Sequence, residues 1–353
     1  MHLLVPILLF AIGLVLLIKG GDWFVDAAAG IARRFHLPEI LIGATVVSIG
    51  TTLPEVMVSA QGALQGSGSI AYGNAIGSII CNTALIAALT IAIKPGKADR
   101  KSLIIPVSFF FAAAALYVTI SYTTGMFSRT IGIILLAMFV VYMVTNVLAM
   151  KKNPEPVVAE GSDTEEHEEE DEGMSDEEYS ALTRGKKVLA HILGKRNSIV
   201  REIIMLVIGA AVIAVGATLL VDNGTLIAEE LGVPETVIAL TFVALGTSLP
   251  ELVTAITSLA KGHGSLSLGN IIGANIFNLV LVSGVSIVLS PFPLPEGVVF
   301  LGHNASLTLD IPVMLTVMLL LTVPTLIRGK LSRVQGIALL AIYAAFCTIQ
   351  FVM

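Results

Sequence analysis

Apolar residues run through this chain in stretches far longer than a soluble helix or strand buries, separated by short connections where charge, glycine and proline collect. A helix needs roughly 20 such residues to cross a hydrocarbon layer. The pattern places about ten helices of that kind, near 3–30, 38–64, 69–93, 102–121, 129–149, 201–230, 234–261, 265–290, 305–326 and 333–352. The expected fold class is all-α and integral to a membrane. The first stretch, from Leu3 to Ile18, continues directly into more helical sequence, which favours a transmembrane helix over a cleaved leader. One long polar interruption, 151–200, divides the chain into five-helix units at 1–150 and 201–353. It opens with Lys151 and Lys152, carries the tract Thr164-Glu165-Glu166-His167-Glu168-Glu169-Glu170-Asp171-Glu172, and closes with Arg184, Lys186, Lys187, Lys195 and Arg196. Too charged to bury a core, it is expected to be a disordered linker.

Composition sharpens this picture. The chain is 55% hydrophobic and 13% charged, with a mean hydropathy of +0.90, a balance that excludes most soluble enzyme classes and makes lipid the main surroundings. About half of its acids fall between Glu155 and Glu178, so the net charge of −6 describes the linker and says little about partners. No basic surface suggests nucleic acid, and no cofactor or oligomeric state is implied. Cys81 and Cys347 both lie in apolar segments, which gives no support to a disulfide framework or a cysteine metal site. The basic residues are more telling, because Lys and Arg collect on the cytoplasmic side. Arg33 and Arg34; Lys94, Lys97, Arg100 and Lys101; the ends of the acidic linker; Lys261; and Arg328, Lys330 and Arg333 all occupy alternate connections, whereas the others hold little beyond Arg129. Ten spans then put both termini outside and the linker in the cytoplasm.

The chain also matches itself at an offset of 196 residues, without gaps. Pro38-Glu39 falls on Pro234-Glu235, Gly50-Thr51-Thr52-Leu53-Pro54-Glu55 on Gly246-Thr247-Ser248-Leu249-Pro250-Glu251, Gly73-Asn74 on Gly269-Asn270, and Gly77 and Asn82 on Gly273 and Asn278. Across Pro38–Asn82, 19 of 45 positions are identical, too many for segments that share only an apolar composition. Five helices per copy is an odd number, so the second copy should be upside down. The charges agree: Arg33-Arg34 aligns with Glu229-Glu230, and the basic cluster after Ile93 aligns with Ser290-Pro291-Phe292-Pro293. Inverted repeats of this kind characterise secondary transporters, whose site lies near the midplane where the copies meet.

Glu55 and Glu251 occupy equivalent positions deep in nearly uncharged segments, where a carboxylate is costly and by default functional. A pair of structural, protonated glutamates is the plainer reading, and the duplication weighs against it. Pro54 and Pro250 lack an N–H, so within a helix the carbonyls of Gly50 and Gly246 lose their donor. The hydroxyls of Thr51, Thr52, Thr247 and Ser248 add hard oxygens on what is expected to be a locally broken helix. Calcium takes six to eight such donors, and two glutamates balance its charge. Gly73, Gly77, Gly269 and Gly273 permit close helix approach, with packing alone an equal explanation, while Asn82 and Asn278 can hold or orient the glutamates.

These stretches, G-T-T-L-P-E and G-T-S-L-P-E, each followed by G-N-x-I-G and an asparagine, resemble the paired alpha-repeats of the calcium/cation antiporter superfamily, and among them the prokaryotic sodium/calcium exchangers. The resemblance implies antiport of calcium and sodium as transported ions, in a prokaryotic inner or plasma membrane, with no enzymatic activity. It makes Glu55 and Glu251 the shared ligands of both ions, assigns backbone carbonyls of Thr51 and Thr247 to calcium, and puts Ser48, Thr52, Ser78, Ala244, Thr247 and Ser248 around flanking sodium positions. Two departures stand out. Ala274 replaces the serine expected opposite Ser78, which puts the sodium stoichiometry in question. Asn278 stands where some relatives carry an aspartate that the resemblance links to potassium co-transport. Thr52 in place of serine keeps the hydroxyl.

Other readings remain open at this point. A proton/calcium exchanger on the same fold would use the same glutamates, and the hydroxyl-rich motif favours sodium over it. Another divalent ion such as magnesium prefers a tighter octahedron. An intramembrane hydrolase needs a nucleophile with its base, and no such pair stands out; a purely structural role leaves the duplicated carboxylates unexplained. The acidic linker lacks the spaced ligands of an EF-hand loop, so a solvated tether is favoured over a calcium sensor.

Overall fold

The computed structural model describes residues 3–35, 37–66, 68–152, 199–230, 248–296 and 299–352. Among these residues the chain forms ten helices: α1 Leu4–Arg34, α2 Ile40–Leu64, α3 Gly68–Ile93, α4 Arg100–Thr123, α5 Arg129–Lys152, α6 Ile199–Glu230, α7 Leu249–Ala260, α8 Gly264–Leu289, α9 Ser306–Arg328 and α10 Arg333–Val352. Nine of them contain a stretch long and apolar enough to cross a membrane, and α7 is shorter. The first half of the span expected at 234–261, and nearly all of the acidic linker, lie outside the described residues.

Burial separates two classes of helix. In the apolar stretches of α3 and α8, 72% and 83% of residues are inside the protein, against 17% in those of α6 and α10. The outer helices present aliphatic side chains such as Leu8, Val15, Ile133, Val140 and Val207 outward, as lipid-facing helices do, since lipid tails are no less apolar than leucine. The core is built from α2, α3, α7 and α8. Helix α2 packs on α3 and on α8, α7 packs on α8, α5 lies on the second half of α8, and α10 lies on the second half of α3. The last two contacts are repeat-related, as expected when two copies share one architecture.

The connections reveal the inversion. Strand β1 (Met126–Phe127), between α4 and α5, pairs antiparallel with β2 (Phe292–Pro293), between α8 and α9; Phe127 faces Phe292. At Gly68, where α3 begins, a side chain would collide with the Phe292 ring. On the other side, Lys97 before α4 bridges to Lys330 after α9. Helix α4 alone is about 36 Å long at 1.5 Å per residue, so these two clusters of connections lie on opposite faces. The connection after the third helix is therefore on one face in the first copy, and its counterpart after α8 is on the other.

In the second repeat α7 begins at Leu249 with Pro250 in its first turn, but in the first repeat the expected break at the motif proline is not where the helix changes. Helix α2 runs through Pro54, and its irregularity lies upstream, in a π-helical turn at Gly43–Val47. Losing one donor at a proline is tolerated inside a transmembrane helix, whereas a π-turn inserts a residue and shifts the register. Two more π-turns begin at Asn82 and Asn278, equivalent positions in α3 and α8. π-turns often mark functional sites. A two-residue hairpin, β3 (Val299–Phe300) with β4 (His303–Asn304), precedes α9.

Candidate cation site

Nine of the eleven residues expected at the site are described, and all nine are buried: Ser48, Thr51, Thr52 and Glu55 on α2, Ser78 and Asn82 on α3, Ser248 and Glu251 at the start of α7, and Asn278 on α8. Ala244 and Thr247 lie outside the described residues. Both glutamates have no accessible surface. Their helices cross over: α2 packs on the π-turn that starts at Asn278, and α7 on the π-turn that starts at Asn82. Each glutamate helix thus meets the asparagine turn of the other repeat. The two carboxylates are near enough for their charges to act on one another, and Glu251 lies beside the hydroxyls of Thr51 and Thr52 from the first repeat.

Ten buried polar atoms in this region make no hydrogen bond among the described residues: both carboxylate oxygens of Glu55 and of Glu251, the amide oxygen and nitrogen of Asn82 and of Asn278, and the hydroxyls of Thr52 and Ser248. A buried polar atom left unpaired costs about 1–3 kcal/mol, and a charged one more. Folded proteins carry only a few per 100 residues, so ten gathered at one place mark a site built for a ligand. Eight of the ten are oxygens. No three His, Cys, Asp or Glu side chains converge among the described residues, so the donor set is two carboxylates extended by amides and hydroxyls. Hard cations take that composition, and soft transition metals do not.

The surrounding shell orients the hydroxyls. Ser48 Oγ lies 2.8 Å from the Gly43 carbonyl, 2.9 Å from the Asn270 carbonyl and 3.2 Å from Asn270 Oδ1. Thr51 Oγ1 donates to the same Oδ1 at 3.3 Å. A hydroxyl has one proton and two lone pairs; with the proton committed to these acceptors, the lone pairs stay available to a cation. Asn270 is fixed in turn by its Nδ2, which donates to Thr254 Oγ1 at 3.0 Å, and Thr254 donates back to the carbonyls of Pro250 and Glu251 at 2.9 and 3.0 Å. In the first repeat the equivalent Asn74 donates to the Glu55 carbonyl at 3.1 Å and to Ser59 Oγ at 2.8 Å.

The glycines divide by what they meet. Side chains at Gly269 and Gly273 would overlap the backbone of Ile40 and of Ala44 on α2, so these two positions bring α8 against the ligand-bearing helix. The repeat places the counterparts of that contact, for Gly73 and Gly77, at 236 and 240, outside the described residues. Tyr142 on α5 was not legible as a site residue. In the π-turn the Ser48 amide bonds to the Gly43 carbonyl, which frees the Ala44 carbonyl four residues back. The Tyr142 hydroxyl donates to it at 2.9 Å, braced by the rings of Phe109 and Phe277 at 5.4 and 6.1 Å. No repetition flags this tyrosine in the sequence; the roles of Asn74 and Asn270 were at least signalled by the duplicated Gly-Asn pair.

An inverted helical repeat around a buried two-carboxylate oxygen cluster defines a secondary cation transporter. Residues 5–148 and 201–352 match the sodium/calcium exchanger protein family, and the chain belongs to that family. It is 30% identical to the sodium/calcium exchanger MaX1 of Methanosarcina acetivorans, over 98% of this chain and 99% of that one. It is 34% identical to the inner membrane protein YrbG of Escherichia coli, over 80% of this chain and 79% of the relative. Among solved structures, the sodium-calcium exchanger NCX_Mj soaked with sodium and strontium superposes with a TM-score of 0.74 at 30% identity, covering 97% of this chain and 98% of that one.

Proposed function

We propose that this chain exchanges calcium for sodium across the membrane through one midplane site that opens alternately to either face. The observation that carries this reading is the pair of fully buried glutamates at equivalent repeat positions, their four oxygens unpaired among the described residues. Two carboxylates balance one calcium ion or two sodium ions, so either load neutralises the charge that is otherwise expensive at low dielectric. Glu55 and Glu251 are assigned as ligands shared by both ions, the Thr51 and Thr247 carbonyls as calcium ligands, and Asn82 and Asn278 as amide-oxygen donors. Ser48, Thr52, Ser78, Ala244, Thr247 and Ser248 surround the sodium positions. With protein acceptors within reach of the Ser48 and Thr51 protons, the hydroxyl lone pairs favour cation ligation over proton relay, which supports sodium over the proton-coupled alternative. The two repeats, 1–150 and 201–353, act as the two halves of the transport unit, with 151–200 a cytoplasmic linker and both termini outside, in a prokaryotic plasma or inner membrane. The transported ions leave without chemical change, so no enzymatic activity is assigned.

Calcium-loaded proteoliposomes test this. External sodium should drive calcium out, and potassium should not be required, because position 278 is asparagine. Equal efflux with choline in place of sodium, under an imposed pH gradient, would move the assignment to proton coupling. Absolute dependence on potassium would show that Asn278 has been assigned the wrong meaning.

A further inference from the structure

Two connections far apart in sequence are tied together on the face that holds Lys97 and Lys330. The Ala98 amide donates to the Gly329 carbonyl at 3.0 Å, and the Leu331 amide to the Gly96 carbonyl at 2.8 Å. The tie gathers Lys94, Arg100 and Lys101 from one connection and Arg328, Lys330 and Arg333 from the other, all six exposed. Gly329 ends α9 in the left-handed conformation, with φ of 67°, and the Arg100 guanidinium rests over it: a side chain there would lie 2.9 Å from Arg100 Nε. Arg100 therefore spans the two connections. The one acid within 94–101 and 328–333 is Asp99, and it is already engaged, accepting the amides of Lys101 and Ser102 at 3.1 and 2.9 Å to cap α4.

The cations are fringed by aliphatic side chains with no cover. Ile93, Ile104, Ile327 and Val334 are 61%, 53%, 68% and 77% exposed, and each lies within a turn of one of the six basic residues along the chain. Six like charges held together repel one another unless an anion joins them. A soluble acidic partner would answer the cations alone, beside aliphatics that continue the lipid-facing surface of the membrane helices. A phospholipid answers both, with a charged headgroup above its acyl chains, and basic pockets at helix ends are known to recognise such headgroups.

We propose that the tied connections form a seat for an anionic phospholipid, the headgroup held by Lys94, Arg100, Lys101, Arg328, Lys330 and Arg333 and the acyl chains lying on Ile93, Ile104, Ile327 and Val334. Because it joins a connection of each repeat, a bound lipid links the two halves at one face. The test is native mass spectrometry of the full-length protein from mixed micelles containing equal phosphatidylglycerol and phosphatidylcholine. The parent should retain phosphatidylglycerol preferentially, and Lys94→Gln/Lys330→Gln should lose roughly fivefold of that preference per cation removed. These two positions leave Arg100 seated on Gly329. Arg33→Gln/Arg129→Gln removes two cations outside the surface and should leave the preference unchanged. Equal loss in both double variants would show that net charge, and no particular surface, governs retention, and would overturn the proposal. So would an absence of preference in the parent. A preference that emerges only after deletion of Asp163 to Glu178 would identify the acidic tract as the occupant and equally overturn it.

Discussion

The two copies of the duplicated motif carry the same carboxylate, yet their supports differ. In the first repeat the Asn74 amide nitrogen bonds the Glu55 carbonyl and Ser59 on α2 directly. In the second, the Asn270 amide nitrogen reaches its glutamate helix through Thr254, which stands where the first repeat has Val58. The polar contact between Asn275 Nδ2 and Thr83 Oγ1, at 2.7 Å beside Met318, also has no counterpart, since the repeat-related positions are Ile79 and Leu279. Both halves keep the carboxylate, as the proposed two-carboxylate site for a divalent ion requires. The hydrogen bonds around them are free to diverge, because any arrangement that satisfies the same backbone groups serves.

The largest effect should come from breaking the part that is symmetric. Glu55→Gln and Glu251→Gln each keep the side-chain size and remove one charge, leaving a single carboxylate to balance a desolvated divalent ion. Each should abolish sodium-dependent calcium flux at matched protein density; transport by either near the parent rate would refute the two-carboxylate site. Next comes Asn270, whose amide oxygen bridges the repeats. Asn270→Leu removes the acceptor of the Thr51 hydroxyl, the longest of three contacts at Ser48 and the bond to Thr254, and should raise the sodium concentration for half-maximal exchange by about tenfold, the loss of one to two net hydrogen bonds. An unchanged sodium titration would mean that the contact across the repeats has no functional weight.

Tyr142→Phe is expected to do less still. It retains the ring between Phe109 and Phe277 and deletes one hydrogen bond to Ala44, worth about 1 kcal/mol. Sodium activation should weaken roughly fivefold with little change in calcium affinity, because the π-turn leads into Ser48 and is remote in sequence from Glu55; concentration dependence measured separately for the two ions decides this. The smallest effect is a gain. Ala274→Ser restores the hydroxyl that Ser78 has in the first repeat and should raise apparent sodium affinity about twofold, read from the same sodium titration. A loss of affinity would show that the fully buried Ala274 has no room for the added oxygen.

The chain's membrane class, its helix number and its inverted duplication were all legible in the order of residues, because each follows from local quantities: the length of an apolar stretch, the alternation of charged connections, and identity at a fixed offset. Glu55 and Glu251 were legible for the same reason, a carboxylate in apolar sequence being conspicuous wherever the chain folds. Sequence also pointed to Pro54 as the irregular point of α2, since proline advertises a missing donor. The tertiary structure put the irregularity at Gly43–Val47, whose residues carry no such mark; there α2 meets the bare backbone of Gly269 and Gly273, and Tyr142 takes up the freed carbonyl. The crossing of each glutamate helix over the other repeat's asparagine turn, the hold of Asn270 on Ser48 and Thr51, and the tie between Gly96 and Leu331 likewise join residues more than 160 positions apart. Contacts over such separations depend on helix rotation and register, which packing of the whole core sets and no local pattern encodes.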